Sequence, residues 1–323
     1  MHRTQPPSGR NAPGSRSSGD VTADRRADYA RMLAESGDHA AAAELMEQAL
    51  ELAPGWAAGW FLLGDYRMKA ADPTAADAYR QVLALDPQDI FGAGLKLVLL
   101  GAEAMPEKPP SRYVEALFDD YADRFDAALV ERLDYRVPKK LAALIARVTG
   151  PDRRHAHAVD LGCGTGLMGA ELRPQTDYLE GYDLSAAMLA KARDKQIYDA
   201  LGEADLSLPP ETCGLFPKDK GSARADLVTA ADVLMYLGNL TGVFTLAADL
   251  LRPGGYFAFS VERHEGEEGF SLAPSLRYQH GQAYVEAELR AQGFELLTSE
   301  QEIIRLDGGK PIQGLLFIAR KPA

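Results

Sequence analysis

A run of glycines and four aspartates carry the chemistry legible in this chain. From His155 to Arg173 the residues read as a short apolar strand ending at Asp160-Leu161, a glycine loop Gly162-Cys163-Gly164-Thr165-Gly166, and the start of a helix. Glycine is needed there because the chain must turn tightly and bring its backbone against a ligand that a Cβ would hold off. Asp183 ends the next apolar segment, about 20 residues past the loop, where a carboxylate can accept both hydroxyl hydrogens of a ribose. Asp205 and Asp232 follow two further apolar segments. Gly164-x-Gly166-x-x-Gly169 also matches the dinucleotide fingerprint, and Asp183 would serve NAD equally well, so these residues alone leave a pyrophosphate cofactor open.

Alternating strands and helices must hold these groups. A short third strand precedes Ala204-Asp205-Leu206, and residues 225–237 read as a fourth strand and its loop. A helix end, the turn Pro253-Gly254-Gly255 and an apolar fifth strand come next. After a helix around Tyr284 to Ala291, two long alternating segments joined by Asp307-Gly308-Gly309 predict a β-hairpin that closes the sheet. A dehydrogenase would instead continue with a second parallel half. The polar stretch Ser207 to Ala223 is long for its place and is expected to be a mobile flap.

The Asp-x-Gly-x-Gly-x-Gly pattern at 160–166, with Asp183, Asp205 and Leu-Arg-Pro-Gly-Gly at 251–255, resembles the class I S-adenosylmethionine-dependent methyltransferases. The resemblance covers Tyr113 to the end of the sequence. It implies an α/β fold with a Rossmann-like seven-stranded domain, a mostly parallel sheet whose C-terminal strand is antiparallel. It also implies roles. Gly162, Cys163, Gly164 and Gly166 would pack against the methionine part of S-adenosylmethionine, and Asp160 would order its amino end. Asp183 would take the ribose, with Leu184 and Met188 also at the cofactor. Asp205 would accept from the adenine amino group, Leu206 would lie against the ring, and Ala231 and Asp232 would face the acceptor. A cationic sulfonium without phosphates suits such an acidic pocket.

Residues 118–126, from Phe118 to Asp126, are similar to a segment that lies across the cofactor in many methyltransferases. By that likeness Tyr121 and Phe125 would shield the reacting centre from water. An ordinary amphipathic helix packed on the domain explains the same aromatic spacing. If the acceptor is a hydroxyl or an amine, His280 is the first candidate for a base, and Arg277 and Tyr278 for binding an anionic acceptor; a histidine that merely opens the following helix is the competing reading of His280.

Upstream, two segments align at a fixed offset, Pro54 answering Pro87 thirty-three residues later. Each reads as two helices around a small-residue turn, and Trp60, Leu63, Gly64, Ala76 and the two prolines make the unit resemble the tetratricopeptide repeat. Ile90 to Leu100 would cap the pair, since two repeats bury little surface. Together the two parts look like a bacterial family of predicted methyltransferases with tetratricopeptide repeats. The repeats would offer a groove for a protein partner, or a docking platform.

The expected organisation is a disordered tail over 1–25, an all-α TPR-like repeat domain over 26–104, a linker and helical lid over 105–150 and the methyltransferase domain over 151–323. The formal charge of −12 opposes attraction to nucleic acid, and no apolar run reaches the length of a membrane span. Two cysteines provide neither a disulfide framework nor a zinc cluster, which with the lack of an apolar leader points to the cytoplasm. The reading is methyl transfer from S-adenosylmethionine to a small-molecule or protein acceptor. A non-catalytic cofactor-binding scaffold working through its repeats, or less favourably an NAD-dependent oxidoreductase, are the alternatives.

Overall fold

The computed structural model describes residues 17–106, 110–122, 135–217, 220–266 and 269–323. They fall into two compact units divided after Met105.

The first unit consists of helices. α1 (Val21–Glu35) starts where Asp20 Oδ1 accepts the backbone N–H groups of Thr22 and Ala23 at 2.8 and 2.9 Å. Its start corrects the expected tail boundary. Residues 21–25 are helical because Asp20 caps them and because Ala23, Ala27 and Ala30 form a buried small-residue face. Asp38 caps α2 (His39–Leu52) in the same way, and α3 (Ala57–Lys69), α4 (Ala75–Leu85) and α5 (Ala93–Leu99) follow, each packed on its predecessor. Close approach explains two of the glycines. A Cβ on Gly64 would stand 2.6 Å from the Tyr79 ring, and one on Gly59 would stand 2.4 Å from Trp56.

The second unit is built on one sheet. β1 (His155–Leu161) lies between β2 (Thr176–Asp183) and β4 (Ala225–Ala230), with β3 (Ala200–Glu203) outside β2 and β5 (Leu251–Arg263) beyond β4, all parallel. The expected antiparallel closure is present. β9 (Lys310–Arg320) runs antiparallel to β5, and β8 (Glu295–Asp307) pairs with its far side. The sheet has nine strands, not seven. The additional hairpin, β6 (Phe270–Leu272) with β7 (Tyr278–His280), takes the edge of β5 at Glu262 and Arg263, past the point where β4 has ended.

Among the described residues, helices α6 (Ser111–Tyr121), α7 (Val137–Thr149), α8 (Leu167–Leu172), α9 (Ala186–Asp194), α10 (Thr241–Leu250) and α11 (Gln282–Ala291) also belong to this unit. Apolar residues of the strands are buried in two clusters, one holding Val159, Phe257 and Phe259, the other Ala158, Leu227 and Ile318. Adjacent strand residues thus face opposite layers, as in a sheet covered on both sides. Strand order reverses at β1, between β2 and β4, and a ligand crevice is expected at the carboxyl ends of the strands there. The segment after β3 is anchored where a mobile flap was expected. Cys213 and Leu215 are buried in the core, and the backbone N–H of Asp205 donates to the Cys213 carbonyl at 2.9 Å.

Candidate functional site

β1 delivers the chain to a loop in which Gly162, Gly164 and Gly166 all adopt left-handed conformations, with φ of 63°, 54° and 91°. Only glycine takes such values without strain. A Cβ on Gly162 would also stand 2.3 Å from Val233. The loop is held to β2: Cys163 N–H donates to the Tyr182 carbonyl at 2.9 Å, and Gly164 N–H to Asp183 Oδ2 at 2.8 Å. The other oxygen of Asp183 accepts the Ser185 N–H at 2.9 Å. Burial pushes the Asp183 carboxyl up to about 6 despite these donors, and Asp119 nearby adds to the rise.

Asp160 lies beneath the loop. Its two oxygens accept the hydroxyls of Thr229 and Tyr198, each at 2.7 Å. Burial raises this carboxyl to about 6 as well, against the pull of both hydrogen bonds. Asp160, expected to order the amino end of the cofactor, is 1% exposed and occupied on both oxygens, and it supports the loop from below. Met188, also expected at the ligand, is fully buried in α9, its N–H donated to the capping Ser185 hydroxyl.

Above the loop is a cavity of about 460 Å³, within the range of small-molecule sites. Gly162, Cys163, Gly164, Asp183, Leu184, Asp205, Leu206, Ala231 and Asp232 line it, so most of the residues named from the sequence share one wall. Gly166 stands behind them as the residue preceding α8. Helix α6 contributes Val114, Leu117 and Phe118. It is tied to the site by the Ser185 hydroxyl, which donates to Asp119 at 2.6 Å, and by the edge-on contact of Phe118 with Tyr236, centroids 5.1 Å apart. The Tyr121 side chain and Phe125, proposed from the sequence as the shield, lie outside the described residues.

A family model described as a methyltransferase domain matches residues 133–298, just over half of the chain. The chain belongs to the S-adenosylmethionine-dependent methyltransferases. The cofactor of this methyltransferase is S-adenosylmethionine, and the residues fit it: Asp183 and Asp205 line the cavity, which suits a cationic ligand. Malonyl-[acyl-carrier protein] O-methyltransferase of Enterobacter lignolyticus is 35% identical over 119 residues, 37% of this chain and 43% of that protein. Trans-aconitate 2-methyltransferase of an Acidovorax species is 30% identical over 158 residues, 48% of this chain and 56% of that protein. The chain thus spans about half the length of the curated relatives it matches. Among solved structures, 1,6-didemethyltoxoflavin-N1-methyltransferase of Burkholderia thailandensis shares the fold at a TM-score of 0.50 and 20% identity, over 68% of this chain and 94% of the other.

Two residues suggested for the methyltransferase's catalytic work are not on the cavity wall. His280 is fully buried in β7, its Nε2 at 2.9 and 3.0 Å from the carbonyls of Leu237 and Gly238. Burial lowers its pKa to about 4 even though both carbonyls favour the charged form. The ring is a neutral donor that braces the loop after β4, which corrects its assignment as a base. Tyr278, two residues earlier on the same face of β7, is also fully buried, its phenol pushed up to about 12 by burial. Its hydroxyl donates to the Pro106 carbonyl at 3.4 Å, away from the cavity lining.

The remaining wall is charged in a way the sequence did not disclose. Asp232 has φ of 59° and is fixed there by its N–H donating to Ser260 Oγ at 2.8 Å. Its two oxygens accept from Arg305 Nη1 at 2.6 and 2.8 Å, and Arg305 Nη2 donates to Glu262. Arg277 lines the cavity, donating to Asp307 at 3.0 Å and lying 3.8 Å from Glu262. Tyr135 and Tyr236 line it too, their phenols raised mainly by burial. The sequence named Asp232 and Arg277 of this cluster but neither Arg305 nor Glu262, an acid near the end of an apolar strand.

Proposed function

We propose that this chain transfers a methyl group from S-adenosylmethionine to a small-molecule or protein acceptor. The observation that carries the reading is Asp183, which lines the cavity and accepts the backbone N–H groups of Gly164 and Ser185 on its two oxygens, as a carboxylate held ready for a ribose would. The glycine loop would take the methionine part, and Asp205 and Leu206 the adenine. When bound, the cofactor supplies an electrophilic methyl on a sulfonium. Ser111, Val114, Leu117 and Phe118 of α6 would cover the centre and exclude water, and Tyr236 and Arg277 would orient the acceptor, since positioning supplies most of the rate in such a displacement.

The names of two curated relatives, malonyl-[acyl-carrier protein] and trans-aconitate methyltransferases, support both a small-molecule acceptor and one displayed on a protein. The successive helix pairs α1–α2 and α3–α4 support a tetratricopeptide-like unit that docks such a protein. The two buried free thiols, Cys163 and Cys213, suit a reducing setting such as the cytoplasm. Calorimetric titration of the full chain with S-adenosylmethionine, S-adenosylhomocysteine and NAD tests the cofactor. Binding of both adenosyl ligands at about micromolar affinity, lost in Asp183→Ala, is the expected outcome, with buried charge-assisted hydrogen bonds at stake. Binding of NAD alone would overturn this reading of the cavity.

A further inference from the structure

We propose that the acceptor is a preformed carboxylate on a hydrocarbon body, held by Arg277 beside Tyr236 and methylated on oxygen. The proposal rests on the reading that the cavity takes S-adenosylmethionine, and it follows from what the cavity wall can and cannot do with a proton.

Among the described residues the wall carries no histidine and no lysine. The Cys163 thiol is pushed far up by burial, and the Tyr135 and Tyr236 phenols are also raised, so none of the three is an effective base near neutral pH. Asp232 accepts from Arg305 on both oxygens, and Asp307 accepts from Arg277. Asp183 and Asp205, at the ends of β2 and β3, are the carboxylates assigned above to the ribose and the adenine, so their remaining lone pairs are spoken for when the cofactor is bound. An alcohol must lose a proton in the course of attack, and an aliphatic amine is protonated at neutral pH and must lose one first. A carboxylate arrives with its lone pair available and needs no base.

Charge on the same wall agrees. The carboxylates of Asp232 and Glu262 are both engaged by Arg305, which is 3% exposed and leaves no room for exchange. Arg277 is different. Its side chain is 25% exposed, and its short contact is with Asp307, which is 47% exposed at the end of β8. A guanidinium offers five N–H donors in a planar fork, and the contacts to Asp307, Glu262 and Tyr236 leave donors for an anion. Val114, Leu117, Phe118, Met235 and Leu237 supply the apolar surroundings for the rest of such a molecule. In the step itself, a carboxylate oxygen lone pair forms the O–CH3 bond as the S–CH3 bond breaks with its electrons passing to sulfur. The products are a methyl ester and the neutral thioether, and no proton is released.

The test uses the full chain and begins with titration of S-adenosylhomocysteine. Absence of binding there would fault the cofactor reading, separately from the acceptor. The protein is then given methyl-labelled S-adenosylmethionine with trans-aconitate, malonate and a series of short aliphatic and aromatic acids, each beside its amide, alcohol and amine counterparts. The expected result is label in at least one acid, released as methanol by mild alkali, with none in its three counterparts. Arg277→Gln should raise KM for that acid roughly tenfold to a hundredfold, the weight of a charge-assisted hydrogen bond, with kcat changed less and S-adenosylhomocysteine affinity retained as the control for folding. Arg277→Lys should restore part of the loss. Alkali-stable label in an amine or alcohol, no acid accepted anywhere in the series, or a KM unmoved by Arg277→Gln would each overturn the proposal.

Discussion

Nη1 of Arg305 lies 2.6 and 2.8 Å from the two carboxylate oxygens of Asp232, joining the end of the hairpin strand β8 to the loop after β4 across 73 residues of sequence. The same guanidinium reaches Glu262 on β5, so one buried cation is shared by two carboxylates, Glu262 buried and Asp232 12% exposed. Replacing Arg305 with alanine strands both carboxylates in a poorly solvated place. The expected loss of stability is about 3–5 kcal/mol, measured by urea unfolding, and Arg305→Lys should recover only part because it lacks the fork. A change within about 0.5 kcal/mol, typical of a surface site, would show that the cluster is solvated.

His280 provides a contrast between bracing and catalysis. His280→Ala leaves the carbonyls of Leu237 and Gly238 without the donor they share, for an expected loss of about 1–3 kcal/mol in thermal or urea unfolding. The shape of the pH–rate profile should not change, because the ring is already neutral above about 4. Loss of an ionisation from that profile in the variant would restore His280 as the base.

Asp183 couples cofactor affinity to pH. Its native carboxyl titrates near 6, raised first by burial, while the ordinary value is 3.8. Its contribution to the stability of the unliganded protein is therefore fully present below about 4 and is lost as pH rises through about 6. Binding runs the other way. A cationic ligand prefers the ionised carboxylate, so affinity for S-adenosylmethionine should fall below about pH 6, by up to about tenfold per pH unit for one proton. Asp160, raised to about 6 beneath the loop, acts in the same direction. Calorimetry across this range checks the sign, and an affinity that rises on acidification would contradict it.

In the helical unit, Gly64 allows α3 to meet the Tyr79 ring on α4. Gly64→Ala places a methyl where 2.6 Å separates it from the ring. Overpacking of this kind should destabilise the unit by about 1–3 kcal/mol, read as faster hydrogen exchange across residues 17–105. Gly37→Ala meets no atom within 4 Å, yet it should also cost about 1 kcal/mol, because φ there is 92°.

Much of the site was legible because it is local. The loop glycines, Asp183, Asp205 and Asp232 follow successive strands, and strand ends in an alternating α/β chain must meet at one edge of the sheet. Legibility failed where burial depends on pairing. Ile303 is 47% exposed, but both Ile304 and Arg305 are buried, because the register between β8 and β9 shifts between Ile303 and Arg305. Strict alternation would have sent Arg305 outward with Ile303. His280 and Tyr278 were read as site residues because they follow the fifth strand. Their segment forms β7, whose pairing with β5 turns both side chains into the core.

The sequence by itself determined the glycine loop, the order of strands β1 to β5, the closing hairpin and the small-residue helix contacts. Each is written in residues close together in the chain, where backbone sterics and periodicity act directly. Tertiary structure alone decided which charges share a wall. It set Arg305 against Asp232 and Glu262, left Arg277 facing the cavity, hid Asp160 under Thr229 and Tyr198, and removed His280 from the chemistry. Those outcomes depend on strand register and depth of burial, and both are fixed only when distant segments pair.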